Sequence, residues 1–122
     1  MRKVEIGSKR FTTVWAADEP GQGGAHHIYL VCFTDGVDVA GEETPPAEVR
    51  FQNGPIKEAG INGCHNEDLI AIVLDRLHGF QSGDFACEAN DTAIGHLENA
   101  LETLNVRTKD RISRGVEGTN VI

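Results

Sequence analysis

Cysteine, long apolar runs and aromatic residues are all scarce in this sequence of 122 residues. Its three cysteines are odd in number and include no close pair, so a disulfide framework is not expected and the thiols are predicted to be reduced. No stretch approaches the roughly 20 apolar residues that cross a bilayer, and the first residues, MRKVEIGSKR, contain no apolar run typical of a signal peptide. The sequence therefore predicts a cytosolic protein that does not enter a membrane.

Positive charge is also scarce, because 11 Lys and Arg residues stand against 19 Asp and Glu residues and the formal net charge is -8. Four of the basic residues are nevertheless concentrated in one short segment, at Arg107, Lys109, Arg111 and Arg114. Affinity for DNA or RNA depends on neutralising many phosphates, which an acidic body opposes. A nucleic-acid polymer is therefore not the expected partner, whereas a small anion with one or two phosphates is compatible with this pattern.

The common catalytic and metal-binding motifs are missing. The sequence contains no P-loop, G-x-S-x-G or Rossmann fingerprint, and neither CxxC nor HxxxH spacing. The adjacent His26 and His27 point to opposite sides of a strand, and the neighbouring Cys64 and His65 rarely meet in the geometry of a nucleophile and its base. No metal, cofactor or catalytic residue is predicted, and nothing indicates an enzyme.

The first half of the sequence is typical of strands and turns. Candidate strands lie at residues 2–6, 9–17, 26–33 and 47–52, where aromatic and β-branched residues are frequent. We predict an antiparallel sheet of three or four strands within residues 1–55. Residues 35–46 are predicted to form a surface loop, from which no chemistry can be inferred.

The second half changes to a helical period. Asn66 resembles an N-cap residue followed by acidic Glu67 and Asp68, and a second helix is predicted from about Glu88 to Arg114, with Gly115 as its C′ residue. The two predicted apolar stripes consist of Leu69, Ile70, Val73, Leu74, Leu77 and Phe80 in the first helix and of Ile94, Leu97, Leu101 and Leu104 in the second.

Two helices joined by a short loop are expected to pack as an antiparallel hairpin over residues 66–114. The predicted fold class is therefore α+β, with an N-terminal antiparallel β-sheet of three or four strands packed on a C-terminal antiparallel helical hairpin, in a single domain over residues 1–122. Because both helices carry many apolar positions for so small a sheet, self-association through the hairpin is expected.

Arg107, Arg111 and Arg114 lie at i, i+4 and i+7, so they form one stripe that borders the apolar seam of the second helix. Guanidinium groups beside an apolar surface suit bidentate binding of phosphate and stacking on a flat base. Basic residues in the last turns of a helix also complement its dipole, and a nearby carboxylate such as Asp110 can pair with them. The residues alone leave both interpretations open.

Three further features share this ambiguity. Asn90 falls within the apolar stripe of the second helix, where a buried amide needs a partner. Phe80 and Phe85 flank the interhelical loop and suit either base stacking or core packing. In FQNGPIKEAGING, residues 51–63, the glycines permit close approach to a ligand but also suit a plain connection between strand and helix.

Several dense motifs, in the same order, resemble the phage sponge proteins of the Thoeris anti-defence family, whose relatives, the anti-CBASS sponges, share the helical hairpin. The motifs are GAHHIYLV at 24–31, FQNGPIKEAGING at 51–63, NEDLIAIVLDRLHGFQSGDFAC at 66–87 and RTKDRISRGVEGT at 107–119. The resemblance implies a non-catalytic protein that sequesters nucleotide second messengers of bacterial immunity in the cytoplasm of the infected host. The implied ligand is a cyclic ADP-ribose isomer of the glyco-cyclic type made by TIR-domain enzymes, and some members also hold cyclic trinucleotides in a separate pocket.

The resemblance also implies an assembly and a set of site residues. Family members form oligomers, typically homohexamers, with ligand pockets between protomers. Phe80 would stack on adenine, Asn90 would hydrogen-bond the ligand, and Arg107 with Arg111 would hold its pyrophosphate. The same pocket would be lined by Phe51, Gln52, Asn53 and Ile56, and a second, trinucleotide site would be formed by Arg114, Gly115, Val116, Glu117 and Gly118.

Two alternative functions stay open beside the sponge. One is a phosphodiesterase-like enzyme that degrades the same signal without a metal, and the other is a protein-binding module whose arginine stripe contacts an acidic partner.

Within the motif GDFACEAND, Glu88 departs from the pattern GPFACREN of relatives, since an acidic residue stands where a basic one is expected.

Overall fold

A computed structural model of the chain describes residues 1–7, 10–33 and 47–122. The chain forms two compact units, Met1–Cys64 and His65–Ile122. Four strands lie in the first unit and two long helices in the second, so the predicted α+β class is confirmed. The loop predicted at residues 35–46 lies outside the described residues, and the single domain over residues 1–122 stays a prediction.

The sheet of the first unit contains four antiparallel strands in the order β1-β2-β3-β4. The strands are β1 (Arg2–Lys3), β2 (Thr12–Ala16), β3 (Ile28–Phe33) and β4 (Ala47–Arg50). Each occupies part of a segment in which β-branched and aromatic residues predicted a strand. Two side chains of β2, those of Thr13 and Ala16, are buried, and β3 is half-buried over most of its length.

A short helix, α1 (Ile56–Ala59), follows the sheet, although the glycine-rich sequence around it did not predict one. The loop that contains α1 is closed by the side chain of Gln52, whose Nε2 donates to the carbonyl oxygens of Gly60 (2.7 Å) and Gly54 (3.2 Å). A side chain at Gly63 would place its Cβ 2.4 Å from the carbonyl carbon of Phe51, so only glycine fits there. Gly63 therefore serves close backbone packing within the unit, whereas Gly54 (φ 86°) and Gly60 (φ 74°) supply positive φ angles in the loop.

The second unit is a helical hairpin made of α2 (Asn66–Gln81) and α3 (Glu88–Ser113), which pack against each other. The prediction of Asn66 as the N-cap of α2 was wrong, because His65 is the N-cap. Its backbone N–H donates to the side chain of Asp68 at 2.9 Å, three residues later, in the manner of a capping box. Val73, predicted in the apolar stripe of α2, is exposed, whereas Ile94 of α3 is buried as predicted.

Helix α3 ends where the sequence predicted. Gly115 has φ 71°, the left-handed conformation expected of a C′ residue. Its N–H bonds to the carbonyl of Ile112 (3.0 Å), and the N–H of Val116 bonds to the carbonyl of Arg111 (3.0 Å), which together form a Schellman motif. The backbone of the C-terminal segment is thereby fixed to the end of the helix at residues 115 and 116.

Asp18 braces the turn between β2 and β3. Its carboxylate accepts hydrogen bonds from the backbone N–H groups of His27 (3.0 Å) and Ile28 (3.1 Å), and its carbonyl lies 2.6 Å from Nδ1 of His26. Burial raises the pKa of the Asp18 carboxyl group, but the two N–H donors and the His26 imidazole outweigh it and hold that pKa below its ordinary value.

This lowered pKa predicts a stability change in acid. A carboxyl group with a lowered pKa stabilises the folded chain above its ordinary pKa, about 4, and loses that contribution as the pH falls through the lowered value. We expect the chain to be more stable than the Asp18→Asn variant at neutral pH, with the difference shrinking in acid. Urea unfolding across this pH range measures it, and a difference that grows as the pH falls would contradict the assignment.

Candidate functional site

Phe80, the predicted base-stacking residue, lies in an aromatic and cationic cluster near the C-terminal end of α2. Its ring meets that of Phe85 edge to face, with centroids 6.3 Å apart. The guanidinium carbon of Arg76 lies 4.9 Å from the centroid of the Phe80 ring. Phe80 itself is half-buried, whereas Phe85 is exposed. A flat ring with a planar cation beside it is a surface on which a nucleobase can stack.

Asn90, the predicted ligand-binding amide, belongs to the same end of the hairpin. Its Nδ2 donates to Oε1 of Gln81 (3.1 Å) and to the carbonyl of Phe85 (3.3 Å). Gln81 in turn bonds both the N–H (2.9 Å) and the carbonyl (3.0 Å) of Cys87. The amide of Asn90 therefore finds its partners inside the chain, and a bound ligand is not needed to explain a polar group in the apolar stripe. Its Oδ1 forms no hydrogen bond with the described part of the chain.

Arg107 and Arg111 lie one turn apart on α3 but in different surroundings. Arg107 is exposed, and within the described residues it forms no hydrogen bond or ion pair. Arg111 is only 9% exposed, and its guanidinium donates to three backbone carbonyls of the C-terminal segment. Nη1 donates to Val121 (2.6 Å), and Nη2 donates to Val116 (3.0 Å) and Thr119 (3.1 Å).

Pairing with nearby acids, the alternative explanation of the arginine stripe, applies to one member only. Arg114 forms an ion pair with Asp110, with its Nε 3.0 Å from the carboxylate. Neither Arg107 nor Arg111 pairs with a carboxylate among the residues that the structure describes. Two of the three guanidinium groups thus keep an uncompensated positive charge, which is the condition for binding an anion.

The residues of the predicted trinucleotide site form a turn that wraps around Arg111. Arg114 donates from Nη2 to the carbonyl of Ile122 (2.8 Å), and Thr119 bonds back to Val116 through its N–H (3.1 Å) and its hydroxyl group. Gly118 has φ 78°, which permits the turn, and Glu117 is exposed. This segment binds its own helix.

The two groups of predicted site residues lie far apart along α3. Asn90 stands near the first residue of the helix and Arg107 near the last, and 17 residues separate them. An α-helix rises 1.5 Å per residue, so their backbones are about 25 Å apart along the helix axis. The Phe80 end and the arginine end of one hairpin therefore lie at opposite ends of the second unit.

The remaining predicted pocket residues belong to the first unit. Phe51 packs edge to face on Tyr29, with ring centroids 5.8 Å apart, and the amide of Gln52 is fully used in closing the loop around α1. Asn53 is exposed, and its side chain forms no hydrogen bond with the described residues. Ile56 is half-buried at the first position of α1. Of these four residues, Asn53 has the side chain most available to a ligand.

A groove of about 340 Å³ lies along the hairpin. Its apolar floor is formed by side chains of both helices and its rim by acidic and polar side chains of α3, and neither Arg107 nor Arg111 contributes. The lining residues are Leu74, Glu98, Leu101, Glu102, Asn105, Val106 and Lys109. The two glutamates make this groove unsuitable for an anionic ligand.

Sequence reasoning missed the partners of the predicted site residues. Arg76 stands four residues before Phe80, a spacing that places both on one face of α2 and that could have indicated the contact. The contacts of Arg111 are with backbone carbonyls, which leave no signal in the sequence. Within residues 1–7, 10–33 and 47–122, no helix is long and apolar enough to cross a membrane, and no group of three or more His, Cys, Asp or Glu side chains is placed to hold a metal ion.

The different surroundings of the two arginines predict different effects on stability. Arg111→Met removes the guanidinium bonds to three carbonyls around a side chain that is only 9% exposed, so we expect it to lower the free energy of unfolding by about 1–3 kcal/mol. Arg107→Met is the matched control in the same helix and should change it by less than about 0.5 kcal/mol, because its side chain is exposed. Urea unfolding of both variants measures this, and equal effects would show that the carbonyl contacts of Arg111 do not stabilise the fold.

The hairpin places the chain among known proteins. The family model described as "Acb2/Tad1, hairpin domain" matches residues 43–109, which include Phe80, Asn90 and Arg107. The protein "Thoeris anti-defense 1" of Bacillus phage SBSphiJ7 is 55% identical over 74 residues, a match that covers 61% of this chain and 52% of that relative. The chain thus spans about half the length of the curated relative it matches. Because the family model covers more than half of the chain, this protein belongs to the Acb2/Tad1 hairpin-domain family.

Proposed function

We propose that this chain is a phage anti-defence protein that binds and sequesters a nucleotide immune signal without cleaving it. The proposed signal is a cyclic ADP-ribose isomer of the glyco-cyclic type, and its capture in the host cytoplasm would prevent activation of the Thoeris effector. Family membership and the relative named "Thoeris anti-defense 1" support this role. Cyclic trinucleotides would bind separately, at the turn formed by residues 114–118.

The single observation that carries the proposal is the separation of the two halves of the site along α3. Phe80 and Asn90 are about 25 Å from Arg107, because the rise of the helix is fixed. One small cyclic nucleotide cannot contact both ends of the same hairpin. We therefore propose that each pocket combines Phe80 and Asn90 of one protomer with Arg107 and Arg111 of another.

The hairpin has the surface that such an assembly needs. Its large apolar side chains are far from buried, with Ile72 62% exposed, Val106 60% and Ile112 59%. Exposed apolar residues of this kind, together with the groove between the helices, are typical of a surface that another chain covers. We propose a homo-oligomer, a hexamer by resemblance to the family, in which these surfaces meet.

The chemistry of the proposed pocket suits tight binding without reaction. Nanomolar affinity corresponds to about -12 kcal/mol. Two charge-assisted contacts to phosphate at roughly 1.5–3 kcal/mol each and a base stack on Phe80 at about 1–3 kcal/mol supply a large part of it. The side chains at either end of the hairpin are proposed to bind phosphate or to stack on a base, and none of them is proposed to break a bond.

Recovery of the signal distinguishes a sponge from an enzyme. We expect the protein to remove glyco-cyclic ADP-ribose from solution at stoichiometric ratio and to release it unchanged after heat denaturation, as measured by chromatography of the supernatant. A cleaved product would instead support the phosphodiesterase-like alternative. If the chain leaves the signal in solution, the protein-binding module becomes the better explanation.

Mixing two inactive variants tests whether the pocket is shared between chains. Phe80→Ala and Arg107→Ala should each abolish binding alone. After joint unfolding and refolding in equal amounts, about a quarter of the pockets should be intact, because some junctions combine a whole Phe80 with a whole Arg107. Calorimetry counts these sites.

The matched control mixes the Phe80→Ala chain with a double variant that carries both Phe80→Ala and Arg107→Ala. Every chain in that mixture carries Phe80→Ala, so no pocket can be complete and no binding should return. If the mixture of the two single variants also binds nothing although its chains assemble, the two ends of the hairpin do not serve one pocket.

A further inference from the structure

The hydrogen-bond donors of Arg111 are largely in use in the ligand-free chain. Both hydrogens of Nη2 are donated, one to the carbonyl of Val116 and one to that of Thr119, and Nη1 donates to the carbonyl of Val121. A guanidinium binds an anion bidentately through two parallel N–H groups, either Nη1 with Nη2 or Nε with Nη2. Because each of these pairs includes Nη2, Arg111 cannot bind phosphate bidentately until a carbonyl of the C-terminal segment leaves.

The three carbonyls present oxygen acceptors to the Arg111 guanidinium, as a phosphate group would. They present several oxygen acceptors to one guanidinium that is 9% exposed and that pairs with no carboxylate of the described residues. The bonds to the carbonyls are already charge-assisted through the guanidinium, but carbonyl oxygens are neutral, whereas phosphate oxygens carry formal charge and add a direct attraction between opposite charges. A diphosphate can therefore replace the carbonyls with a net gain.

We propose that residues 119–122 occupy, in the ligand-free chain, the subsite that the phosphate oxygens of the ligand take, and that binding displaces these residues. This rests on the proposed function, in which Arg111 contacts the diphosphate. A ligand with one charged oxygen replaces a single carbonyl and gains little. A diphosphate replaces two or three, so the segment selects ligands that carry adjacent charged oxygens.

The chain is built so that this segment can leave while the helix end stays. Gly115 and Val116 are fixed to α3 by backbone hydrogen bonds that do not involve the guanidinium of Arg111. Gly118, with φ 78°, separates this anchored part from the residues beyond it. Val121 is 55% exposed, so residues 119–122 are held mainly by the hydrogen bonds from Arg111 and Arg114.

Truncation after Gly118 tests the proposal. It removes the carbonyls of Thr119 and Val121 but leaves the anchored turn, so we expect the dissociation constant for glyco-cyclic ADP-ribose to fall about tenfold, since charge-assisted hydrogen bonds no longer have to be broken. Asn120→Ala is the matched control in the same segment, because its exposed side chain has no partner among the described residues, and it should leave affinity unchanged. A truncated chain that binds equally or more weakly overturns the proposal.

Hydrogen exchange on the intact chain gives a second readout that does not depend on the folding of a truncated variant. Backbone amides of residues 119–122 should exchange faster when glyco-cyclic ADP-ribose is bound, and amides of α3 should not. Unchanged or slower exchange in this segment overturns the displacement alone. Failure of the intact chain to bind the signal in calorimetry overturns the proposed function as well, so the two failures are distinguishable.

Discussion

Helix α3 is continuous over 26 residues, and its fixed rise decides what one copy of this chain can bind. The interhelical loop, with the Phe80 cluster, is fixed to its first turn through Asn90 and Gln81. The C-terminal turn is fixed to its last turn through the Schellman motif and Arg111. A rigid rod that carries a flat aromatic surface at one end and cations at the other is incomplete as a pocket by itself. In the proposed assembly it becomes complete when the unlike ends of two copies meet.

The periodic parts of the fold were predictable because their signals are local. The apolar spacing identified both long helices, and the glycine after Arg114 identified the end of α3, since only a residue that accepts positive φ suits that position. The N-cap of α2 was misassigned because Asp68 caps the backbone of His65, and such a bond does not depend on the side chain of the capped residue. Helix α1 is four residues long, too short to show a period.

The candidate site was predictable only in its residue types. The spacing of Arg107 and Arg111 indicated one stripe, but it could not indicate that one guanidinium is exposed and the other is covered by the chain that follows. That difference arises from backbone carbonyls, which every residue has, and from the direction that the chain takes after Gly115. The same holds for Asn90, whose partner Gln81 is brought near by the loop between the helices. Tertiary contacts of this kind give residues of the same type different surroundings, and the sequence pattern does not show the difference.

The uneven distribution of charge makes the proposed binding of a small anion compatible with an acidic chain that would repel long ones. At physiological ionic strength, exposed charges act over about 8 Å, so a diphosphate at the end of α3 would experience Arg107 and Arg111, while the neighbouring Asp110 is paired with Arg114. A nucleic-acid strand extends beyond this distance and meets the acidic surface that gives the chain its net charge of -8. Because Arg111 contributes to that local charge and is bonded to its own C-terminal segment, the proposed site favours a ligand compact enough to reach it and charged enough to replace carbonyls there. Under the proposed function, size and charge density, rather than base sequence, therefore set which phosphates the chain binds.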